Sequence, residues 1–580
     1  MYGILLCVIF MGFLEMVSVA AILPFLAVLA KPEVIETNAY LNFTYQSLSF
    51  TDPKYFLLFL GASVFTLLVV GNLFSAFTTW IMMRFSYAQG YKISTNLLNK
   101  YLSQPYPFFL QNNSSHLQKN ILAEVDRLIT GIVINLGLTV SKAIVGASIL
   151  LLLLLVDFKL AAIIFVSMGG AYCIFYGLTA KKLRAAGILS SAVNGERYTL
   201  IREVFGAIKE LKILNRESLF INSYQNVSKR YAQYESASQL TPLVIRYLIE
   251  MLAFGGMLLI ALYLIWTKDS LNRFLPLLGL YALAGYRLMP AAQQIFSGIT
   301  LGKYHSSAVD ILYDDYKLLG SKEEINQSQD IMKFYNELSL QSIKYTYPQA
   351  SCPCIQDISL SIKSCTTIGF VGSSGAGKTT LVDIILGLLA ADKGTITVDG
   401  KLLDNSNMAA WQRNIGYVPQ TIYLTDSTIA SNIAFGVDSE NININKVKLA
   451  ATLANLDKFI LEELSNGYDT MIGEAGVRLS GGQRQRIGIA RALYHDPQLL
   501  IFDEATSALD NQTEKIIIDS IHSLSKKKTI ILIAHRLQTV KECDVIYVLD
   551  KGKIAGHGTY NELIDNNNIF RSLARKTKYA

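Results

Sequence analysis

The sequence predicts an all-α membrane region of six spanning helices, followed by an α/β region with a largely parallel sheet. Apolar residues crowd into long stretches of the first half, whereas in the second half short apolar strands alternate with helical patterns. The composition agrees, because 51% of the residues are hydrophobic and only 17% are charged. Soluble proteins carry charge on about 25% of their residues. The deficit therefore indicates a chain that lies partly in lipid.

The six predicted spans follow from length and hydropathy. A helix needs about 20 mostly apolar residues to cross the hydrocarbon core of a bilayer. Six stretches meet this requirement, at residues 4–30, 55–83, 129–156, 160–178, 243–266 and 274–299. Buried core helices of a soluble protein are the alternative, and the length and number of the stretches exclude it.

The basic residues predict the orientation of these spans. Lys and Arg concentrate in two long polar connections, residues 84–128 and 179–242, which the positive-inside rule assigns to the cytoplasm. The net charge of +7 is thus a topology signal. Nucleic acid is not an expected partner, because no basic stripe is interleaved with aromatic residues. We predict a membrane domain at residues 1–312, a linker at 313–333 and a second domain at 334–580.

A glycine-rich loop is the first motif in the second domain that predicts a chemical function. Gly372-Ser-Ser-Gly-Ala-Gly377-Lys378-Thr379 directly follows an apolar strand and precedes a helical pattern. Such glycines let backbone N–H groups close around phosphate oxygens at the positive end of a helix. Lys378 is expected to reach the β- and γ-phosphates, and the Thr379 hydroxyl to reach Mg²⁺. The loop predicts a site for ATP and Mg²⁺.

A second apolar strand ends in two carboxylates, Asp503 and Glu504. Downstream of a phosphate loop, the first of these is placed to hold the Mg²⁺ shell. We assign the second, Glu504, as the general base that activates the attacking water.

Leu479-Ser-Gly-Gly-Gln483, between the phosphate loop and the acidic strand, is the signature of ABC ATPases. The chain is identified as a member of that family from about residue 334 to 565. The resemblance implies that Tyr347 stacks on adenine, that Gln420 senses Mg²⁺ and the attacking water, and that His535 contacts the γ-phosphate. It also implies that the segment ending at Asp510 crosses to a partner subunit. The expected nucleotide contacts are Tyr347, Gly372, Ser373, Ser374, Gly375, Ala376, Gly377, Lys378, Thr379, Thr380, Ser480, Gly481, Gly482, Gln483 and Asp510, with Thr379, Gln420 and Asp503 at the metal.

The family resemblance also implies a dimer, because the phosphate loop of one domain faces the signature of another with ATP between them. With six spans on the same chain, this predicts half of an exporter. A homodimer with two active sites is the simplest arrangement, and a heterodimer is the alternative. Short helices at residues 106–117 and 205–215 are the expected transmitters of motion between the ATPase and the membrane domain.

Charged residues inside the spans are the clue to the cargo, because an intramembrane ionisable group is expensive and usually functional. Arg287 and Lys142 suit an anionic head group, although internal pairing or snorkelling explains them equally well. Arg246 and Glu250 lie four residues apart and are expected to pair with each other. Glu15 in the first span has no explanation at the level of sequence.

The membrane half resembles bacterial flippases of lipid-linked oligosaccharides in three places. These are Tyr286-Arg287-Leu-Met-Pro290, Tyr304-His305-Ser-Ser307, and Glu15 followed by Leu23-Pro24-Phe25. The resemblance implies a polyprenyl-pyrophosphate glycan as cargo, a location in the bacterial inner membrane, and a cytoplasmic ATPase domain. Lipid A, peptides and hydrophobic drugs are alternative cargoes. An ATP-gated regulator that transports nothing is the alternative from a different class.

Overall fold

The computed structural model of the protein describes residues 2–156, 158–266, 271–319, 330–348, 350–504, 524–534 and 536–578. The chain divides into two compact units. The first comprises Met1–Gln104 and Phe108–Glu324, and the second comprises Pro105–Pro107 and Ile325–Ala580. The second unit contains the predicted α/β region, part of the predicted linker, and three residues from the connection between the second and third spans.

The regular secondary structure of the first unit is all helical in its described residues. Its long helices are Tyr2–Ala20, Pro53–Leu102, Asn135–Val156, Phe158–Gly206, Glu217–Trp266 and Leu271–Leu318, and its shorter ones are Ile22–Ala30, Val34–Thr37, Ala39–Ser47, Tyr106–Gln111, Ser114–Lys119, Val125–Leu128 and Ile208–Leu214. Two π-helical segments, Asn120–Glu124 and Ile129–Ile134, flank the short helix Val125–Leu128, and the second of them begins the predicted third span. A helix of 50 residues such as Pro53–Leu102 is about 75 Å long, far more than the ~30 Å hydrocarbon core of a bilayer. The long polar connections of the sequence are thus largely continuations of the spanning helices.

Three helical stretches among the described residues are long and apolar enough to cross a membrane, namely Tyr2–Leu29, Pro53–Leu102 and Ser114–Val156. The other three predicted spans lie on the helices Phe158–Gly206, Glu217–Trp266 and Leu271–Leu318. Many side chains of these helices lie outside the described residues, so those spans stay predictions. Both predicted transmitter segments do contain a short helix, Tyr106–Gln111 and Ile208–Leu214.

The first predicted span is not one uninterrupted helix. Its first segment ends at Ala20, and a second begins at Ile22. Pro24 explains the break, because proline lacks an N–H and its ring clashes with the carbonyl four residues earlier, which is that of Ala20.

Buried polar side chains tie the extended ends of the first unit's helices together. Glu124 has no exposed surface and lies 3.2 Å from the Lys119 ammonium and 3.1 Å from the Arg127 guanidinium. Arg127 also donates to Nδ1 of His305 at 3.4 Å. Lys119, Glu124 and Arg127 belong to one helical stretch, Ser114–Val156, and the contact of Arg127 with His305 joins that stretch to the helix Leu271–Leu318.

The second unit contains two sheets. Its strands are β1 Glu337–Tyr345, β2 Ile355–Lys363, β3 Thr367–Gly372, β4 Lys393–Val398, β5 Lys401–Leu402, β6 Ile415–Val418, β7 Leu499–Asp503, β8 Thr529–Ile533, β9 Val545–Asp550 and β10 Lys553–Gly558. A six-stranded sheet has the order β10-β9-β3-β8-β7-β6, and only β10 pairs antiparallel. This confirms the predicted largely parallel sheet. The strands β3, β7 and β8 are buried along their whole length, as parallel strands covered on both faces are.

A four-stranded antiparallel sheet, in the order β2-β1-β4-β5, was not predicted from the sequence. Along β2, buried and more exposed residues nearly alternate, which is the pattern of a sheet with one face on the core and one in solvent.

The helices of the second unit cover the sheets. They are Lys378–Ile385, Met408–Gln412, Ile429–Ile433, Ile444–Leu453, Asp457–Glu463, Gly481–Leu493, Tyr560–Asn566 and Asn568–Lys578. The helix Lys378–Ile385 begins where the phosphate loop ends, and its apolar side packs in a core with Phe370 of β3 and Trp411. The loop is therefore held between a buried strand and a buried helix.

Candidate nucleotide site

The phosphate loop has the backbone geometry that its glycines predict. Gly375 and Gly377 have φ angles of +78° and +99°, in the region that side chains rarely adopt. A Cβ on Gly377 would lie 2.9 Å from Cδ1 of Ile355 and 3.1 Å from the carbonyl oxygen of Cys354. The sequence places glycine here because neither the conformation nor the space admits another residue.

Lys378 is folded back onto the loop. Its ammonium group donates to the carbonyl oxygens of Gly372 at 2.9 Å and Ser373 at 3.0 Å, and the residue is only 6% exposed. Burial lowers the pKa of Lys378, while Glu504 and Asp503 oppose that shift. The positive charge is thus held inside the loop, where the phosphates of a nucleotide are expected.

A cavity of about 160 Å³ opens beside this lysine. Its lining residues are Cys354, Ser374, Gly375, Ala376, Gly377, Lys378, Thr379, Thr380 and Glu504. The predicted phosphate contacts from Ser374 to Thr380 and the predicted general base Glu504 thus lie around one space, whereas Gly372 and Ser373 are not among its lining residues. Cys354 belongs to this wall as well, and no sequence signal identified it.

The carboxylate of Asp503 lies at the end of β7 and is 6% exposed. The Tyr417 hydroxyl donates to it at 3.4 Å, and burial together with this carboxylate raises the pKa of Tyr417. Asp383 is a second acid nearby, and burial and the Asp503 charge raise its pKa to about 6. Sequence reasoning missed Asp383, although it follows Thr379 by one helical turn and therefore shares its face.

Glu504, the predicted general base, is hydrogen-bonded to Gln420. The amide of Gln420 donates to Oε2 of Glu504 at 2.7 Å. Glu504 also has a φ of 51°, which is uncommon for a residue with a side chain and costs free energy that surrounding structure must supply. Two residues that lie far apart in the sequence are thus joined beside the phosphate cavity.

Tyr347 lies next to the loop helix. Its hydroxyl is 3.1 Å from Oγ1 of Thr380. Sγ of Cys354 lies 3.4 Å from the same Thr380 oxygen. The ring of Tyr347 meets that of Tyr345 edge-on, with 5.1 Å between centroids. The residue thus lies at the edge of the phosphate loop, and stacking on adenine stays a prediction.

The signature motif forms the start of the helix Gly481–Leu493. The Ser480 hydroxyl accepts from the backbone N–H of Gln483, and the Gln483 side chain accepts from the backbone N–H of Ser480. This reciprocal cap leaves N–H groups at the helix start directed outward. The motif is not among the lining residues of the cavity as the structure describes it. Two of our predicted site residues, Asp510 and His535, lie outside the described residues.

The residues present suit Mg²⁺. This ion prefers oxygen ligands and usually takes one or two carboxylates together with substrate phosphates. Within the described ranges no group of three or more His, Cys, Asp or Glu side chains lies together as a metal cluster. The oxygen donors at hand are the Asp503 carboxylate, the Thr379 hydroxyl and the Gln420 amide.

The two cations predicted for the cargo lie together in the membrane domain. Nζ of Lys142 is 3.9 Å from Oε1 of Glu15, and Nη1 of Arg287 is 3.6 Å from Oε2 of the same carboxylate. Internal pairing is therefore part of their explanation, and it also accounts for Glu15. Arg246 and Glu250 pair with each other at 2.6 Å, as their spacing predicted.

Family comparisons agree with this architecture. The family described as ABC transporter matches residues 355–507, and the ABC transporter transmembrane region matches residues 3–274. The ATP-dependent lipid A-core flippase of Saccharophagus degradans is 31% identical over 500 residues, which cover 83% of this chain and 82% of that protein. The protein of the same name from Wigglesworthia glossinidia brevipalpis is 40% identical over 264 residues, and that match spans 45% of each chain.

Among solved structures, a bacterial Atm1-family ABC exporter with ATP bound has a TM-score of 0.78 at 20% identity, covering 99% of this chain and 98% of that one. At this identity the likeness concerns the fold alone. The relative from Saccharophagus degradans, which is matched over most of its length, and the two family matches together show the family. The chain therefore belongs to the ABC transporters, as an exporter-type half-transporter whose membrane and ATPase domains share one chain and whose transport is coupled to ATP hydrolysis.

Proposed function

We propose that the protein flips an anionic, lipid-anchored glycan across the bacterial inner membrane. One observation carries the cargo class. Lys142 and Arg287, inside the membrane domain, share the single carboxylate of Glu15, so that the group keeps an excess positive charge. A phosphate or pyrophosphate head group supplies the opposite charge, whereas a neutral drug does not.

A polyprenyl-pyrophosphate oligosaccharide is the first candidate cargo, because of the resemblance around Arg287, His305 and Glu15. Lipid A is the second, because the relatives from Saccharophagus and Wigglesworthia are named lipid A-core flippases. Both molecules combine phosphate, sugar and long apolar chains, and the excess positive charge suits either of them.

The hydrolytic step is assigned to residues around the phosphate cavity. Lys378, folded onto the loop, is placed to hold the β- and γ-phosphates. Glu504 takes a proton from the attacking water, and Gln420 positions both the water and the base. Thr379, Asp503 and Gln420 would hold Mg²⁺. When bound, the metal neutralises charge that develops on the phosphate oxygens.

A second copy of the chain completes each site in this proposal. The capped helix start at Ser480 presents N–H groups but does not line the cavity of its own chain. Such a helix terminus suits the phosphates of a nucleotide held by a partner. We therefore propose a homodimer with two hydrolytic sites. In it, ATP closes the ATPase pair, and release of the products resets the membrane domain.

The test is translocation in proteoliposomes that contain the full-length protein. A fluorescent short-chain polyprenyl-pyrophosphate oligosaccharide and a fluorescent lipid A are followed separately with Mg-ATP. Glu504→Gln controls for hydrolysis. Arg287→Ala tests the cation pair, and Arg246→Ala is its matched control, because that arginine is already paired with Glu250 at 2.6 Å.

Movement of the oligosaccharide that stops in Glu504→Gln and falls in Arg287→Ala, but not in Arg246→Ala, would support the first candidate. Movement of lipid A alone would replace it with the second. Vigorous ATP hydrolysis with neither lipid moved would refute the proposed cargo class and leave the family assignment intact.

A further inference from the structure

Glu15 is an acid buried in the membrane domain that the proposed function leaves without a role. It lies on the first helix and is 4% exposed. Its two carboxylate oxygens contact different cations, Lys142 and Arg287. The Ser75 hydroxyl donates to Oε1 at 3.2 Å. Three helices besides its own thus converge on one carboxylate.

The charges of this group do not balance. One negative side chain faces two positive ones, which leaves one positive charge in excess in a region of low dielectric constant. A charge within a membrane span is costly unless it is paired. The three side chains together therefore favour the binding of a further anion.

The contacts are also loose. The two nitrogen–oxygen distances are 3.9 and 3.6 Å, whereas charge-assisted hydrogen bonds typically measure about 2.7–2.9 Å. Arg246 and Glu250 in the same domain reach 2.6 Å. Lys142 and Arg287 are therefore attracted by Glu15 without being locked to it.

The two cations are more exposed than the carboxylate that they share. The side chains of Lys142 and Arg287 keep 34% and 22% of their surface exposed, against 4% for Glu15. Arg287 also faces Oδ1 of Asn72 at 3.5 Å. An incoming anion thus reaches the two cations from their open side, while the carboxylate stays behind them.

We propose that Glu15, Lys142 and Arg287 form one anion-binding site in which Glu15 limits the net charge to a single positive unit. This inference rests on the proposed function and names the head-group site within it. Glu15 positions both cations and weakens their hold on a bound anion. A transport site must bind strongly enough to load and weakly enough to release, and the shared acid serves the second requirement.

The test compares two lipids that differ only in the phosphate, a short-chain polyprenyl phosphate and the polyprenol of equal length. Their dissociation constants are measured on the full-length protein in nanodiscs by displacement of a fluorescent lipid. The readout is the preference, meaning the ratio of the two constants. It cancels the contribution of the apolar chain.

In Glu15→Gln we expect the preference for the phosphate to rise about tenfold, since a repulsive unit charge at about 7 Å is removed at an effective dielectric constant of about 30. In Arg287→Gln it should fall. In the double variant Glu15→Gln with Arg287→Gln the preference should return toward the wild-type value, because the net charge is restored. Glu36→Gln, an exposed acid outside the group, is the matched control and should change nothing.

An unchanged or reduced preference in Glu15→Gln would overturn the inference, as would a double variant no better than Arg287→Gln alone. If Glu15→Gln fails to fold, the comparison of Arg287→Gln with the double variant still decides, and pairing Glu15→Gln with Lys142→Gln gives a second route to the same net charge. A wild-type protein that does not prefer the phosphate at all would count instead against the proposed cargo class.

Discussion

The buried carboxylate of Glu124 offers a sharp test of how the extended helices of the membrane domain are held together. Glu124 is 0% exposed, and its neighbours Lys119 and Arg127 have side chains 6% and 10% exposed. In Glu124→Gln both cations lose their counter-charge while staying buried. Breaking such a pair typically costs about 3–5 kcal/mol, and Arg127 then keeps the Gly187 carbonyl at 3.2 Å, its contact with His305 and the face of the Tyr304 ring.

The assay is unfolding of the full-length protein in mixed micelles, followed by circular dichroism as the fraction of denaturing detergent rises. The matched control is Glu196→Gln. Glu196 pairs with Arg230 at the shorter distance of 2.6 Å, but both side chains are about half exposed. Exposed ion pairs contribute about 0–1 kcal/mol to stability. Loss of the exposed pair should therefore lower the free energy of unfolding less than loss of the buried pairs, although the exposed pair is the shorter one.

Equal losses of stability in Glu124→Gln and Glu196→Gln would refute this reasoning, because burial would then have no influence on how much an ion pair contributes to stability. A second comparison sharpens the test. Adding Lys119→Met to Glu124→Gln removes one of the two stranded charges and should recover about 1–2 kcal/mol of the loss. No recovery would mean that the carboxylate acts through its shape and hydrogen bonds.

Three further outcomes follow from single residues. Burial, and then the charge of Arg127, lower the pKa of His305 from 6.5 to about 4, so the folded protein keeps it neutral while the unfolded chain protonates it. Stability should therefore fall as the pH drops from about 6.5 towards 4, by roughly 2 kcal/mol at pH 5, and unfolding measured against pH should show a smaller slope in His305→Gln. Gly377→Ala puts a methyl group 2.9 Å from Ile355 at a φ of +99°, and binding of a fluorescent ATP analogue should weaken by about tenfold or more, with unchanged binding contradicting the loop geometry. Ser480→Ala removes a helix cap and should cost about 1 kcal/mol in unfolding experiments, whereas Ser480→Thr should cost less.

The phosphate site was predictable from the sequence because its parts are local. The parts of the site lie at the ends of regular elements, namely Gly372 to Thr379, Asp503 and Ser480. A few consecutive residues are therefore enough to predict both the strand or helix and the chemistry. The hydrogen bond between Gln420 and Glu504, and the place of Cys354 in the cavity wall, depend on how β6, β7 and the start of β2 lie relative to one another. No periodicity in the chain encodes that arrangement.

The membrane charges show the same division. The sequence identified Lys142, Arg287 and Glu15 as expensive residues in apolar stretches, but it left pairing and cargo contact as equal explanations for the two cations. Helix-to-helix contact shows the pairing, because only packing reveals that one carboxylate serves both, and contact with the cargo stays a proposal. Likewise, hydropathy predicted the first span, while the break at Ala21 came from Pro24, whose effect on the backbone a hydropathy average does not register.

By itself the sequence determined the class of this protein, namely apolar helices of membrane length joined to a nucleotide-binding α/β domain, with the residues for phosphate, metal and water named in advance. Those properties arise from hydropathy, strand burial and short motifs, which act over a few residues. Only the tertiary structure decided that Glu15 meets two cations from other helices, because the electrostatic free energy of a buried group depends on neighbours brought from distant parts of the chain.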